Sequence, residues 1–342
     1  MAGSSSQSTT ASGWNQSRPE RVDPRKHRWQ GARRGAGRTR APGGGRRRLR
    51  FLLSASAAVG LLALFTYGLL FAPVKTPLVI IAPADFAYPV PPTAWIGEDV
   101  QRLKQLDGKT FRVVDASPAW TSKQTGLDEV DRLWKSFTGF RGNDGVAVVY
   151  VALPGLVTED GTPAMLLPGM SAWSPAEWLP LRELLDHLSA GDADLEKVVL
   201  LDCRRAAADW NLGLVADTFV DRVEQLVAAY GNPRLHVITA SSAGQDAWAS
   251  AELRGSAFGR AAAEALAGAS DRAVEPHKIG NRNRRVSLRE LHRYVAQRVD
   301  AWARANRGAS QTPRLFSTTA ENADFRIAWS LDASSLRQMA EE

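Results

Sequence analysis

The sequence predicts a three-layer α/β domain with a mostly parallel central sheet and helices on both faces. Two observations carry this. Strand-like runs recur near residues 78, 110, 146, 197 and 235, and those at 146 and 197 are apolar without polar alternation, which is how strands buried on both faces read. Between them lie longer stretches with helical spacing, so strand and helix alternate from residue 78 to about 303. The 342-residue chain is long enough for such a domain and more.

What precedes the domain has a different composition. Residues 1–50 are rich in Ser, Gly and Arg and nearly free of aliphatic side chains, so they are expected to be disordered. Arg18 to Arg50 holds thirteen Lys or Arg against Glu20 and Asp23. The chain's net charge of +7 therefore belongs to this arm, and the remainder carries about −4. Residues 51–72 are uncharged and apolar. At ~1.5 Å per helical residue they reach across a bilayer core of ~30 Å. Arg46, Arg47, Arg48 and Arg50 stop just before the run and only Lys75 follows closely. The positive-inside rule then puts residues 1–50 in the cytoplasm and the C-terminal domain outside it, at the cell membrane. A basic arm also suits nucleic acid or anionic lipid, and an apolar run also suits a cleaved signal peptide. The topological reading explains both segments together, and nucleic acid is not the expected partner. Residues 73–77 form a linker, with Pro73 and Pro77, and 331–342 a C-terminal tail.

Within 78–330, Leu78–Ile81 is the first strand and Ala82–Pro92 a Pro-rich loop. Gly97–Leu106 places Val100, Leu103 and Leu106 on one helical face. Thr110–Ala116 is the second strand. Gly126–Phe137 is a helix with Leu127, Val130, Leu133, Trp134 and Phe137 apolar. Val146–Ala152 is the third strand. Thr158–Thr162 is a turn before Met165-Leu166-Leu167. Glu177–Leu188 is helical. The focal strand is Lys197–Asp202, where Val and Leu give way to Asp202, Cys203, Arg204 and Arg205. Ligands in open α/β sheets collect past such carboxyl ends. Then follow a helix over Leu212–Tyr230, which Asp209-Trp210-Asn211 is placed to cap. A strand over Leu235–Thr239, an Ala-rich helix over Ser256–Leu266, a basic loop over 270–285 and a long helix over Leu288–Ala303 complete the chain.

Several reaction classes lack their residues. One cysteine permits no internal disulfide, and no CxxC or HExxH metal set is present. No Gly-rich phosphate loop follows the first strand, so no nucleotide cofactor is expected, nor any other.

The focal stretch resembles the caspases and metacaspases. In that family one buried strand ends in Asp-x-Cys and an earlier one in Ser-x-His-Gly, with the histidine about 50 residues before the cysteine. Here the earlier strand runs into Ala152-Leu153-Pro154-Gly155, and Pro154 and Arg204 have that spacing. Asp160-Gly161 with Leu166-Leu167-Pro168 resembles the family's turn and hairpin. Thr239-Ala240-Ser241 resembles its strand followed by Ala-Ser. Arg254-Gly255-Ser256-Ala257-Phe258 resembles its Gly-Ser-x-Phe start of a helix. The likeness covers residues 78–320 and implies a caspase-like α/β domain.

The resemblance also implies a dyad that this chain lacks. In the family a cysteine thiolate attacks a peptide carbonyl and the histidine moves the proton. Aligned without gaps, Pro154 stands at the histidine and Arg204 at the nucleophile, and neither side chain can do that work. The implied function is a membrane-anchored pseudopeptidase that binds a protein or peptide. A one-residue shift would restore Cys203 as nucleophile, with Arg204 and Arg205 favouring its thiolate, and so an active cysteine endopeptidase. The leaving amine would still need a proton donor. Otherwise Cys203 is a small buried hydrophobe. The resemblance further implies that Asp202 lines a pocket for a basic side chain, with Arg204 and Arg205 beside it. A doubly wound small-molecule-binding domain is the third reading. His187 is expected on a helix surface and His236 within a strand, as a core histidine.

Overall fold

The computed structural model describes residues 75–84, 86, 95–137, 145–170, 174–190, 194–203, 218–273, 279–319 and 324–341. Phe71–Glu342 forms one compact unit. The expected arm (1–50), membrane span (51–72), capping segment Asp209–Asn211, and Arg204 and Arg205 lie outside the described residues. Among the described residues no helix is long and apolar enough to cross a membrane.

The chain forms the expected α/β fold, a mostly parallel sheet flanked by helices. Its strands are β1 (Thr76–Ile81), β2 (Phe111–Asp115), β3 (Val146–Val151), β7 (Glu196–Leu201), β8 (Leu235–Thr239) and β12 (Arg314–Phe316), in the order β12-β8-β7-β3-β1-β2. Five run parallel and β12 is antiparallel to β8. All five expected strands are therefore neighbours, and β7 is interior, paired with β3 and β8. β1 begins at Thr76, inside the expected linker, because Thr76 and Pro77 are already buried against β2.

Alternation along the strands sorts side chains to two cores. Ile80, Val148, Tyr150, Leu200 and Ile238 face one layer, with α1 (Ile96–Lys104), α5 (Ala257–Glu264) and α7 (Leu288–Arg307). Val79, Val149, Val151, Val199, Leu201 and Val237 face the other, with α2 (Lys123–Phe137), α3 (Leu181–Ser189) and α4 (Phe219–Tyr230). Each helix has a sequence reason. In α1, Ile96, Val100 and Leu103 recur on one face, with Glu98 and Asp99 in the first turn and Arg102 and Lys104 in the last, matching the helix dipole. In α7 a capping box joins Ser287 and Glu290, and Gly308 closes the far end in the left-handed conformation.

Several boundaries differ from expectation. Helix α3 starts at Leu181, not Glu177: Pro180 is its N-cap, and a proline turns the preceding residue away from helical backbone. The expected turn at Thr158–Thr162 joins β4 (Gly155–Val157) to β5 (Pro163–Met165), and β6 (Leu179–Pro180) extends that ribbon. β9 (Ala249–Ser250) pairs with β10 (Gly255–Ser256), directly before α5. The expected basic loop contains the short helix α6 (Ser270–Arg272) and ends in β11 (Arg285–Ser287), which pairs with β13 (Arg326–Trp329). The expected C-terminal tail contains α8 (Ala333–Glu341).

Candidate functional site

The register brings the expected site to one end of the sheet. Val151 of β3 stands opposite Leu201 of β7, so Ala152-Leu153-Pro154 and Asp202-Cys203 leave the sheet side by side. The backbone N–H of Asp202 donates to the Val151 carbonyl at 2.8 Å. The Pro154 carbonyl accepts from Leu166 N–H at 3.0 Å, which fixes the loop as the start of the β4–β5 ribbon. Nothing in Ala152-Leu153-Pro154-Gly155 can carry a proton.

Asp202 and Cys203 face opposite sides, as adjacent residues at a strand end do. Cys203 is 9% exposed and belongs to the core on the α2–α4 side, with Leu201 and Phe219. Asp202 turns to the other side, where it is 2% exposed. There its Oδ2 accepts the Tyr150 hydroxyl at 2.6 Å and the Ser256 hydroxyl.

Ser256 ties this carboxylate to a second one. Its Oγ accepts Gly259 N–H at 2.6 Å and so caps α5, while its backbone N–H donates to Asp99 Oδ2 at 2.7 Å. Asp99, on α1, is 1% exposed. Its Oδ1 accepts from Arg102 Nη1 at 3.0 Å. Arg102 also donates to the Arg254 and Leu253 carbonyls, at 2.9 and 2.7 Å, and so is pinned to the loop before β10. The cluster closes tightly. A Cβ on Gly255 would run into Asp99 Oδ1, and one on Gly259 would lie 2.7 Å from the Tyr150 hydroxyl oxygen. Glycine at these two positions lets the backbone approach the acids.

Burial dominates the electrostatics. It raises the Asp99 carboxyl to about 8, helped by the charge of Asp202 and opposed by the Ser256 N–H and Arg102. Burial also pushes the Tyr150 phenol well up, again with Asp202 and Asp99 adding to it. Near neutral pH Asp99 thus keeps its proton. Tyr150 stays a protonated donor to Asp202.

The histidines of the described residues lie elsewhere. His236 stands opposite Val198, five residues before Cys203 along the parallel register, on the order of 16 Å away at ~3.3 Å per residue. It is fully buried, with Nε2 2.9 Å from Glu196 Oε2 and Nδ1 without a partner. Burial lowers its pKa, and Glu196 opposes that. His187, in the last turn of α3, pairs with Asp131 at 2.8 Å. His292, on the opposite layer, bonds the Pro313 carbonyl at 3.2 Å. Among the described residues no three His, Cys, Asp or Glu side chains are grouped to hold a metal ion.

Of the expected site residues, the structure thus brings Pro154, Asp202 and Cys203 to one end of the sheet and separates the last two by face. Sequence reasoning missed Asp99, Tyr150 and Ser256. Asp99 carried a signal, since it sits on the same α1 stripe as Ile96, Val100 and Leu103, where an acid is out of pattern. Tyr150 was likewise the one polar-tipped side chain in an apolar strand. No protein-family model matches the chain, and no curated protein matches it either. The fold and site define it as a three-layer α/β protein with a buried acid cluster at the carboxyl edge of its sheet.

Proposed function

We propose that this chain is a membrane-anchored, caspase-like pseudopeptidase whose domain binds a protein or peptide without cutting it. The observation that carries the reading is the contrast at the end of β7: Cys203 packs into the core on one face while the polar cluster forms on the other. A peptide bond is cut by a nucleophile, a proton shuttle and an oxyanion site within hydrogen-bond reach of one another. The loop at Pro154 offers no shuttle, and the register of His236 puts that imidazole toward the far end of the strands.

Asp202, which the family resemblance places in a pocket for a basic side chain, already has partners within the domain. Asp202 is engaged by Tyr150 and Ser256, and Asp99 by Arg102. This supports a binding role that does not depend on a substrate Arg or Lys. The anchor rests on the apolar run at 51–72 and the arginines before it.

The test compares the full chain with Cys203→Ala on an unbiased peptide library, with and without calcium. Neither is expected to cut. Cleavage by the wild type that vanishes in Cys203→Ala would overturn the proposal and restore Cys203 as a nucleophile.

A further inference from the structure

The place where the chain enters the sheet carries a patch unlike the rest of the domain. The Thr76 hydroxyl, at the start of β1, donates to the Ile327 carbonyl of β13 at 2.5 Å. The β11–β13 ribbon therefore lies against the first residue of the sheet. Val286, Ile327 and Ala328 of the ribbon are buried in the core. Arg285 is exposed, and Arg326 and Trp329 are half-buried. The guanidinium carbons of Arg285 and Arg326 lie 5.4 and 4.4 Å from the centre of the Trp329 ring.

Two more exposed arginines, Arg282 and Arg284, precede β11, both with positive φ, at 57° and 66°. Asp271 holds this backbone. Its carbonyl accepts Arg282 N–H and its Oδ2 accepts Arg284 N–H. Asp271 is itself buried, and its Oδ2 is engaged by this backbone. Among the described residues no carboxylate pairs with the guanidinium of Arg282, Arg284 or Arg285. The acid nearest in sequence on β13's side is Asp324, which is exposed.

We propose that Arg282, Arg284, Arg285, Arg326 and Trp329 form a surface that docks on anionic lipid headgroups. The proposal rests on reading residues 51–72 as a membrane span. From Ala72 to Thr76 the chain can extend at most about 14 Å, which keeps the start of β1, and the ribbon beside it, close to the bilayer surface. Guanidinium forks match phosphate oxygens, and an indole suits the headgroup level. The potential of an anionic surface acts over a Debye length of about 8–10 Å, so a patch this close to it is engaged and a distant one is not. The short tether favours a lipid surface over a nucleic acid.

The experiment uses the full chain in nanodiscs of phosphatidylcholine alone or with phosphatidylglycerol added, read by amide hydrogen exchange. Segments 282–289 and 324–331 are expected to exchange at least several-fold more slowly in the anionic discs. High salt should remove the difference, as should Arg285→Gln combined with Arg326→Gln. Unchanged exchange elsewhere in that variant checks its fold, and Arg282→Gln with Arg284→Gln should act in the same direction. Equal exchange in both kinds of disc would overturn the docking surface while leaving the span intact. A chain that never enters the discs and washes off in high salt would overturn the span, and the docking surface with it.

Discussion

The hydroxyl of Tyr150, on the interior strand β3, donates to Asp202 Oδ2, just past the end of the neighbouring strand β7, at 2.6 Å. The two residues are 52 positions apart in sequence and meet because their strands are parallel neighbours. Removing the donor leaves the ring in place and strips one hydrogen bond from a buried acid. Tyr150→Phe should cost about 1–3 kcal/mol, measured by urea unfolding. A double-mutant cycle with Asp202→Asn should show coupling well above zero; additive losses would mean that the bond contributes nothing.

Asp99 makes stability depend on pH. Its folded carboxyl titrates at about 8, against 3.8 for the ordinary group. The folded chain therefore keeps a proton that the unfolded chain has lost between those values. This contribution is fully present below about pH 4 and is lost as pH rises through 8. The slope can reach about 1.4 kcal/mol per pH unit. His236 and His292, whose pKa values burial lowers, act the other way as pH falls below the ordinary 6.5. Comparing wild type with Asp99→Asn isolates the acid. The wild type should lose stability relative to the variant from pH 5 to 8, and parallel curves would refute the assignment.

Gly259→Ala tests the close packing around Ser256. Its new Cβ would meet the Tyr150 hydroxyl oxygen at 2.7 Å, Ser256 Oγ at 2.8 Å and Asp99 Cγ at 2.9 Å. None is the loose end of a flexible chain. Although alanine is the better helix former, the variant should be destabilised by about 1–3 kcal/mol, seen as a lower Tm. A Tm at or above wild type would mean that the cluster yields easily.

Cys203 should react with iodoacetamide only as fast as the core opens, because its side chain is buried in the same core as Leu201 and Phe219. Mass spectrometry should find it largely unmodified in the native chain and quickly modified in urea. Rapid native labelling would place the thiol at the surface and reopen the nucleophile question.

The parts of the fold that were legible in the sequence are those where one segment is enough. Strands at 78, 146, 197 and 235 are buried on both faces, so each is an apolar run in its own right, while the strand at 110 lies at the edge and buries Phe111. β12 and β13 were not legible. They have three and four residues, begin with arginine, and take their place only from β8 and β11. The site was half legible for the same reason. Asp202 and Cys203 end an obvious strand, and their opposite faces follow from its alternation. Asp99 and Ser256 come from elements 157 residues apart and become a site only when α1 and α5 pack on the same face. Pattern alone carries no such distance.

The outer strands of the sheet bear on self-association. At one edge β2 carries Arg112 and Asp115, with Asp115 bridged to Lys104 at 2.7 Å, and at the other β12 has three residues, preceded by Pro313 and led by Arg314. Short, charged, proline-flanked borders are poor templates for a further strand. Two copies of this domain would thus not extend one sheet into the other, and chains crowded together on a surface would meet through side chains, with their backbones kept apart.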